Sequence, residues 1–285
     1  MERERSWEVP AVDVEGEPAA SSDEPAPASR WREFAVRAAL LTGCAVIVAA
    51  ITLAIHLTKL EIPPVQAPAR ALQPATAPVT ALEPHPGDGG SASPVDRVDP
   101  TWARQVAAAT GVPVRALLAY ASADLTVDAE QPGCGIGWNT LAAIGAVESG
   151  HGTYGGAMLG EDGHPSPPIR GIPLDGQREG VAAIADTDDG VWDGDVTWDR
   201  AVGPMQFIPS TWARWEADGN GDGVGDPNQI DDAALAAVHY LCASGNMTTP
   251  DGWRAAVLSY NHSDAYADQV AQIANGYASA AGTVP

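Results

Sequence analysis

The sequence predicts a mainly α globular domain, with room for one small β-hairpin, tethered by a single transmembrane helix. Three observations carry this reading. Beyond residue 100, apolar residues recur at helical spacing in segments bounded by capping residues. Loops rich in Gly and Asp join those segments. Ahead of them, Ala38 to Thr58 forms a run of 21 residues without a formal charge, enough for one span, since about 20 residues cross the hydrocarbon of a bilayer.

Residues 1–37 read as a disordered tail, because Glu, Pro, Ala and Ser dominate and large apolar residues are few. The transmembrane helix is placed at 38–58. Arg30, Arg32 and Arg37 flank its start and only Lys59 flanks its end, which puts the N-terminus in the cytoplasm and the rest of the chain outside. A cleaved signal peptide is the rival reading. The long charged region ahead of the apolar core and the lack of a small-residue cleavage site favour an uncleaved anchor in the cell membrane. Residues 59–100 read as a Pro/Ala-rich extracellular linker, with nine prolines between Leu60 and Pro100. At ~3.1 Å per residue such a chain reaches at most ~120 Å from the bilayer.

Residues 101–285 hold the globular domain. Asp99-Pro100 and Thr249-Pro250 are helix-start signals, a capping side chain followed by proline. Helices are expected near 101–109, 113–122, 137–149, 209–217, 229–243, 250–260 and 264–279, and a hairpin turn near Asp193-Gly194. This domain carries 7 Arg, no Lys and 23 Asp or Glu, a net charge of −16 that disfavours nucleic acid as a partner. Asp186, Asp188, Asp189, Asp193, Asp195 and Asp199 crowd one stretch, read as a solvated loop with a cation site as the alternative. Cys134 and Cys242 lie in the outer domain, where an oxidising compartment favours a disulfide over two buried free thiols. Cys44 falls in the membrane segment.

Glu148 closes the apolar stretch Leu141-Ala142-Ala143-Ile144-Gly145-Ala146-Val147 and precedes Ser149-Gly150. Leu141, Ile144, Gly145 and Glu148 share one helical side, so the carboxyl is expected on the inward face. Burial there and the negative helix end both raise its pKa, which suits an acid that protonates a leaving oxygen. A solvated group in the last helical turn is the alternative. Downstream, Gly203 to Trp212 offers the amide of Gln206 and the faces of Phe207 and Trp212, the mixture that sugar recognition needs; an apolar turn under the domain is the plainer reading. Asp218-Gly219-Asn220-Gly221-Asp222-Gly223-Val224-Gly225-Asp226 matches a calcium loop, with Asp218, Asn220, Asp222, the Val224 carbonyl and Asp226 as oxygen ligands. Where such a loop ends in a bidentate Glu, Gln229 stands here. An Asn/Gly-rich turn capped by its own side chains would look the same. Tyr260 and Asn261 end a further apolar helix, from which both can reach a substrate, or serve as a core Tyr and a helix cap.

Glu148-Ser149, then Gln206-Phe207-Ile208-Pro209-Ser210, then the Asp218 loop, then Ser259-Tyr260-Asn261 stand in the order seen in lytic murein transglycosylases. The chain resembles that family over roughly residues 130 to 275. The similarity is to the membrane-bound B type, with its calcium loop, and more closely to actinobacterial single-pass relatives. The resemblance implies an α+β lysozyme-like fold and cleavage of the MurNAc–GlcNAc β-1,4 bond in peptidoglycan glycan strands. It also implies Glu148 as the sole catalytic carboxylate, with Ser149, Gln206, Tyr260 and Asn261 orienting it and the substrate; Phe207 is added as a substrate-facing ring. Calcium is expected to be structural, and no organic cofactor is expected. Gln229 and the acidic insertion at 160–200 depart from the pattern. A muramidase with a second carboxylate, or a calcium-dependent wall-binding module without activity, are the rival functions. Trp192, Trp198 and Tyr154 are read either as sugar-stacking or as local packing.

Overall fold

Asp99 caps the first helix through Oδ1, which accepts from the Thr101 and Trp102 N–H groups at 2.7 and 3.4 Å, while Pro100 fills the first turn. This helix, α1 (Pro100–Thr110), ends at Gly111, whose φ of 77° is the left-handed conformation that a Cβ disfavours. The computed structural model describes residues 76–82, 93–178 and 180–284. The expected tail (1–37), transmembrane helix (38–58) and linker as far as residue 75 lie outside them. Among the described residues no single helix is long and apolar enough to cross a membrane.

Six further α-helices follow among the described residues: α2 (Val114–Glu130), α3 (Trp138–Ser149), α4 (Pro209–Trp215), α5 (Ile230–Cys242), α6 (Pro250–Tyr260) and α7 (Asp264–Ala281). The fold is mainly α. The largest departure from expectation is α2, which runs to Glu130 instead of ending near residue 122. Polar residues break the apolar period there, yet Ser122 and Asp124 are buried. The reason is a cap: the Asp124 Oδ2 accepts the Trp138 N–H at 2.8 Å, because Gly137 at the start of α3 has no side chain to do so. Burial pushes the Asp124 carboxyl up to about 7.

α3 is the central element. Every residue from Trp138 to Gly145 is buried, so the helix has no wet face over its first two turns, and α2, α5 and α7 all pack on it. Trp138, Leu141 and Ile144 are wholly buried, each contributing roughly 1.5–3 kcal/mol of hydrophobic free energy. Cys134 and Cys242 are joined, Cα to Cα 5.4 Å, tying the segment ahead of α3 to the end of α5.

Two small antiparallel pairs occupy the insertion: β1 (Met158–Leu159) with β2 (Pro165–Ser166), and β3 (Arg170–Pro173) with β4 (Arg200–Val202). The expected turn at Asp193-Gly194 exists, with Gly194 at φ 81°; it lies inside the long excursion between the paired strands β3 and β4 and is enclosed by an isolated antiparallel bridge between Ala185 and Trp198. The acidic run is not simply solvated. Asp186 accepts the Asp188 and Gly190 N–H groups, Asp193 those of Asp195 and Arg200, and Asp195 those of Thr197 and Trp198. Asp199 is fully buried on the N–H and hydroxyl of Thr187. Carboxylates here stand in for a strand ladder in satisfying the backbone.

Part of the expected linker belongs to the domain. Leu82 N–H bonds the Arg97 carbonyl and Asp99 N–H the Thr80 carbonyl, and Ala77 and Val98 are in the core. Pro and Ala content marks the segment as linker-like, but two small apolar side chains are enough to dock it.

Candidate active site

Glu148 sits in the last turn of α3, half-buried, with Gly150 behind it at φ 59° closing the helix on the Ala146 and Gly145 carbonyls. Its Oε1 accepts the Tyr266 hydroxyl of α7 at 2.6 Å. Burial pushes the carboxyl up to about 7, and the Tyr266 hydrogen bond partly opposes this by favouring the carboxylate. A group so placed is half protonated near neutral pH and can both give and take a proton. Tyr266 was not legible as a site residue, since it reads in sequence only as the first large apolar position after the Ser263 cap.

Ser149 is 1% exposed. Its Oγ donates to the Pro204 carbonyl at 2.6 Å and accepts the Gly152 N–H at 2.8 Å, so it fastens the loop 203–208 to the end of α3. That loop is a closed turn. Val202 and Phe207 exchange both backbone hydrogen bonds, and Gly203 at φ 74° passes so close to the Pro227 carbonyl that a Cβ would stand 1.9 Å from its oxygen. Gln206 occupies the tip in the left-handed region, φ 52°, with its Nε2 on the Gly203 carbonyl at 2.8 Å.

Phe207 is 3% exposed and packs edge-on against Trp212 and Tyr260. It supports the loop from beneath, and like Ser149 it is almost wholly buried. Tyr260, at the end of α6, latches the loop by donating to the Met205 carbonyl at 2.7 Å; burial raises its pKa, and the nearby Glu148 carboxylate raises it further. Asn261 follows as the exposed cap of α6, its N–H on the Val257 carbonyl. Gln206, Phe207, Ile208, Thr211, Tyr240 and Tyr260 line a cleft of about 70 Å³. Trp192 packs against Trp212, while Tyr154 is 68% exposed in the turn after Glu148.

The 218–226 loop divides into two halves. In the first, Asp218 accepts the N–H groups of Gly221, Asp222 and Gly223, and Asn220 and Asp222 hydrogen-bond each other, an oxygen-rich turn that fits a hard cation. The second half does not fit. Asp226 is taken by Asn228 and faces His164 at 3.3 Å, and Gln229 spends its Oε1 capping α5 through the Asp231 and Asp232 N–H groups. What closes the loop is Asp232, 1% exposed, which accepts from Gly219, Asn220 and Asp226 N–H groups. In the acidic excursion, Asp186, Asp188 and Asp199 bring oxygens within 4.8 Å of one another, though backbone N–H groups already engage all three carboxylates.

No protein-family model matches the sequence, and neither does any curated protein. Two crystal structures of SltB3 from Pseudomonas aeruginosa are similar in shape. The complex with NAG-anhNAM-pentapeptide has a TM-score of 0.35 at 17% identity, covering 62% of this chain and 66% of that one. The complex with NAG-NAM-pentapeptide has a TM-score of 0.37 at 19% identity, covering 63% and 67%. The chain thus spans about two thirds of the length of the SltB3 chains it matches.

Proposed function

We propose that this protein is a peptidoglycan lytic transglycosylase in which Glu148 acts first as acid and then as base. The observation that carries the reading is the Glu148 carboxyl at the end of an apolar helix, lifted to about 7 by burial and held by the Tyr266 hydroxyl. A retaining hydrolase would want a second carboxylate about 5–5.5 Å away and an inverting one about 6.5–9.5 Å away. A single group suffices when the nucleophile belongs to the substrate. Glu148 protonates the glycosidic oxygen and the C1–O bond breaks, the MurNAc N-acetyl group stabilising positive charge at C1. The Glu148 carboxylate then takes the proton of the 6-hydroxyl as O6 attacks C1, giving a 1,6-anhydro sugar and restoring the acid without consuming water. Ser149 and Tyr260 act through the loop they fasten, and Gln206 and Asn261 are the polar groups left to meet the glycan.

Mass spectrometry of muropeptides released from purified sacculi tests this. The expected product is lighter than its reducing-end counterpart by one water; reducing-end sugars alone would replace transglycosylation by hydrolysis.

Two further parts of the proposal lie outside the chemistry. The single-pass anchor, with the N-terminus in the cytoplasm and the domain outside, is supported by the uncharged run at 38–58 and by the Cys134–Cys242 disulfide, a bond of oxidising compartments. Calcium bound by Asp218, Asn220, Asp222 and the Val224 carbonyl is structural in this reading and weak, because the later ligands are engaged elsewhere. Millimolar calcium is expected to raise the melting temperature and a chelator to reverse it; an unchanged transition would remove the ion from the proposal.

A further inference from the structure

The turn that follows Glu148 is held from both sides by a buried imidazole. His151 is 7% exposed and sits at φ 61°, in the left-handed region that non-glycine residues seldom adopt. Its backbone N–H closes the helix end on the Gly145 carbonyl at 2.9 Å. Its Nδ1 meets the Tyr120 hydroxyl of α2 at 3.3 Å and its Nε2 the Tyr277 hydroxyl of α7 at 3.1 Å. Burial pulls the ring down to about 4, so near neutral pH it is uncharged, one nitrogen donating and the other accepting. The contact also explains Gly145 in mid-helix: a Cβ there would stand 2.0 Å from the Tyr120 hydroxyl oxygen.

Tyr277 lies about three turns beyond Tyr266 on α7, and at that spacing the two share a face. One end of the face holds the Glu148 carboxyl, and the other holds the ring three residues after it. The two hydroxyls thus join the Asn139 Nδ2 bond to the Ala274 carbonyl and the Trp138–Tyr277 ring stack in setting the position of α7 along α3. We propose that His151 is a positioning residue: through Tyr277 and Tyr120 it sets the register of α7 against the end of α3 and so keeps the Tyr266 hydroxyl on Glu148. This rests on the reading of Glu148 as the acid. The titratable groups that face that carboxyl are Tyr266 on α7 and Tyr260 at the end of α6, and Tyr260 in turn neighbours Tyr240 on α5 and Tyr120 on α2, the partner of His151.

The test is the pH dependence of the initial rate on purified sacculi at low substrate, with the melting temperature of each variant. Tyr277→Phe removes one hydroxyl without touching the turn. His151→Asn tolerates the left-handed backbone but cannot span the two tyrosines. Tyr266→Phe takes away a hydrogen bond to the carboxylate, so the basic limb is expected to rise by about one pH unit. Tyr277→Phe and His151→Asn are expected to move it the same way, and to move it no further when added to Tyr266→Phe. A lower rate and melting temperature with an unmoved limb would make His151 merely structural, and a shift that adds in full to that of Tyr266→Phe would also overturn the inference. Glu148→Gln on the same substrate separates the two levels. If it keeps the wild-type rate, both readings fail; if it is inactive while the limb stays fixed in Tyr277→Phe, only the positioning role fails.

Discussion

Replacing Glu148 by Gln is expected to lower the rate of glycan cleavage by about two to four orders of magnitude, the range that a positioned general acid and base contributes. The amide keeps the shape and can still accept the Tyr266 hydroxyl, so lost activity cannot be assigned to lost packing. The same substitution is expected to stabilise the protein at high pH. In the folded chain the carboxyl is pushed up to about 7 from an ordinary 4.5, so between those values the folded state holds a proton that the unfolded state has released. Stability therefore falls as pH rises through that window, and the full penalty is present above it. Glu148→Gln escapes the penalty, a gain on the order of 3 kcal/mol above pH 7 at 1.36 kcal/mol per pH unit. Urea melts of both proteins at pH 5 and pH 8 measure it. Wild-type turnover in the variant would end the catalytic reading, and a stability difference independent of pH would mean the carboxyl is better solvated than its surroundings suggest.

The helical layout was legible because its signals are local. Asp99-Pro100, Thr249-Pro250 and the apolar period around Leu141 each act within a few residues, and the helices they mark are present. Glu148 was legible for the same reason, since its burial follows from its place at the end of an apolar stretch. What the sequence could not reveal depends on contacts between distant segments. Asp124 looks like the polar end of a helix until Trp138 arrives to be capped, and Tyr266 becomes a site residue only through a contact 118 positions away. Ser149 and Phe207 show the same dependence. Their residue types suit substrate binding, and what the sequence did not reveal is that Ser149 meets Pro204 and Phe207 meets Trp212 and Tyr260, contacts that hold the loop between them. At 218–226 the oxygen-rich turn was legible, but not that Gln229 caps α5 or that Asp232 closes the loop on the Gly219, Asn220 and Asp226 N–H groups.

Removing the Asp231 carboxylate is expected to cost about 3–5 kcal/mol of folding stability, the loss that follows when one member of a buried ion pair is left behind. Asp231 lies in the first turn of α5 and is 3% exposed. Its two oxygens receive the two terminal nitrogens of Arg115 from α2, and Gln229 Nε2 donates to the second oxygen at 2.5 Å. The Arg115 side chain is only 16% exposed, and its Nε is already on the Glu161 carbonyl at 2.9 Å. Asp231→Ala thus strands a guanidinium that can neither lose its proton nor swing fully into water. Asp231→Asn should lose less, because the amide oxygen still accepts one N–H. Arg115→Met combined with Asp231→Leu should recover most of the loss, since a pair taken out of water repays its desolvation only in part. The stakes extend beyond the pair. It joins α2, which carries Tyr120 to the turn behind Glu148, to α5, whose first turn holds the loop at 218–226 through Asp232. Urea denaturation of the single and double variants decides the matter. If Asp231→Ala falls within about 1 kcal/mol of wild type, the guanidinium has found water and the pair contributes no more than an exposed one.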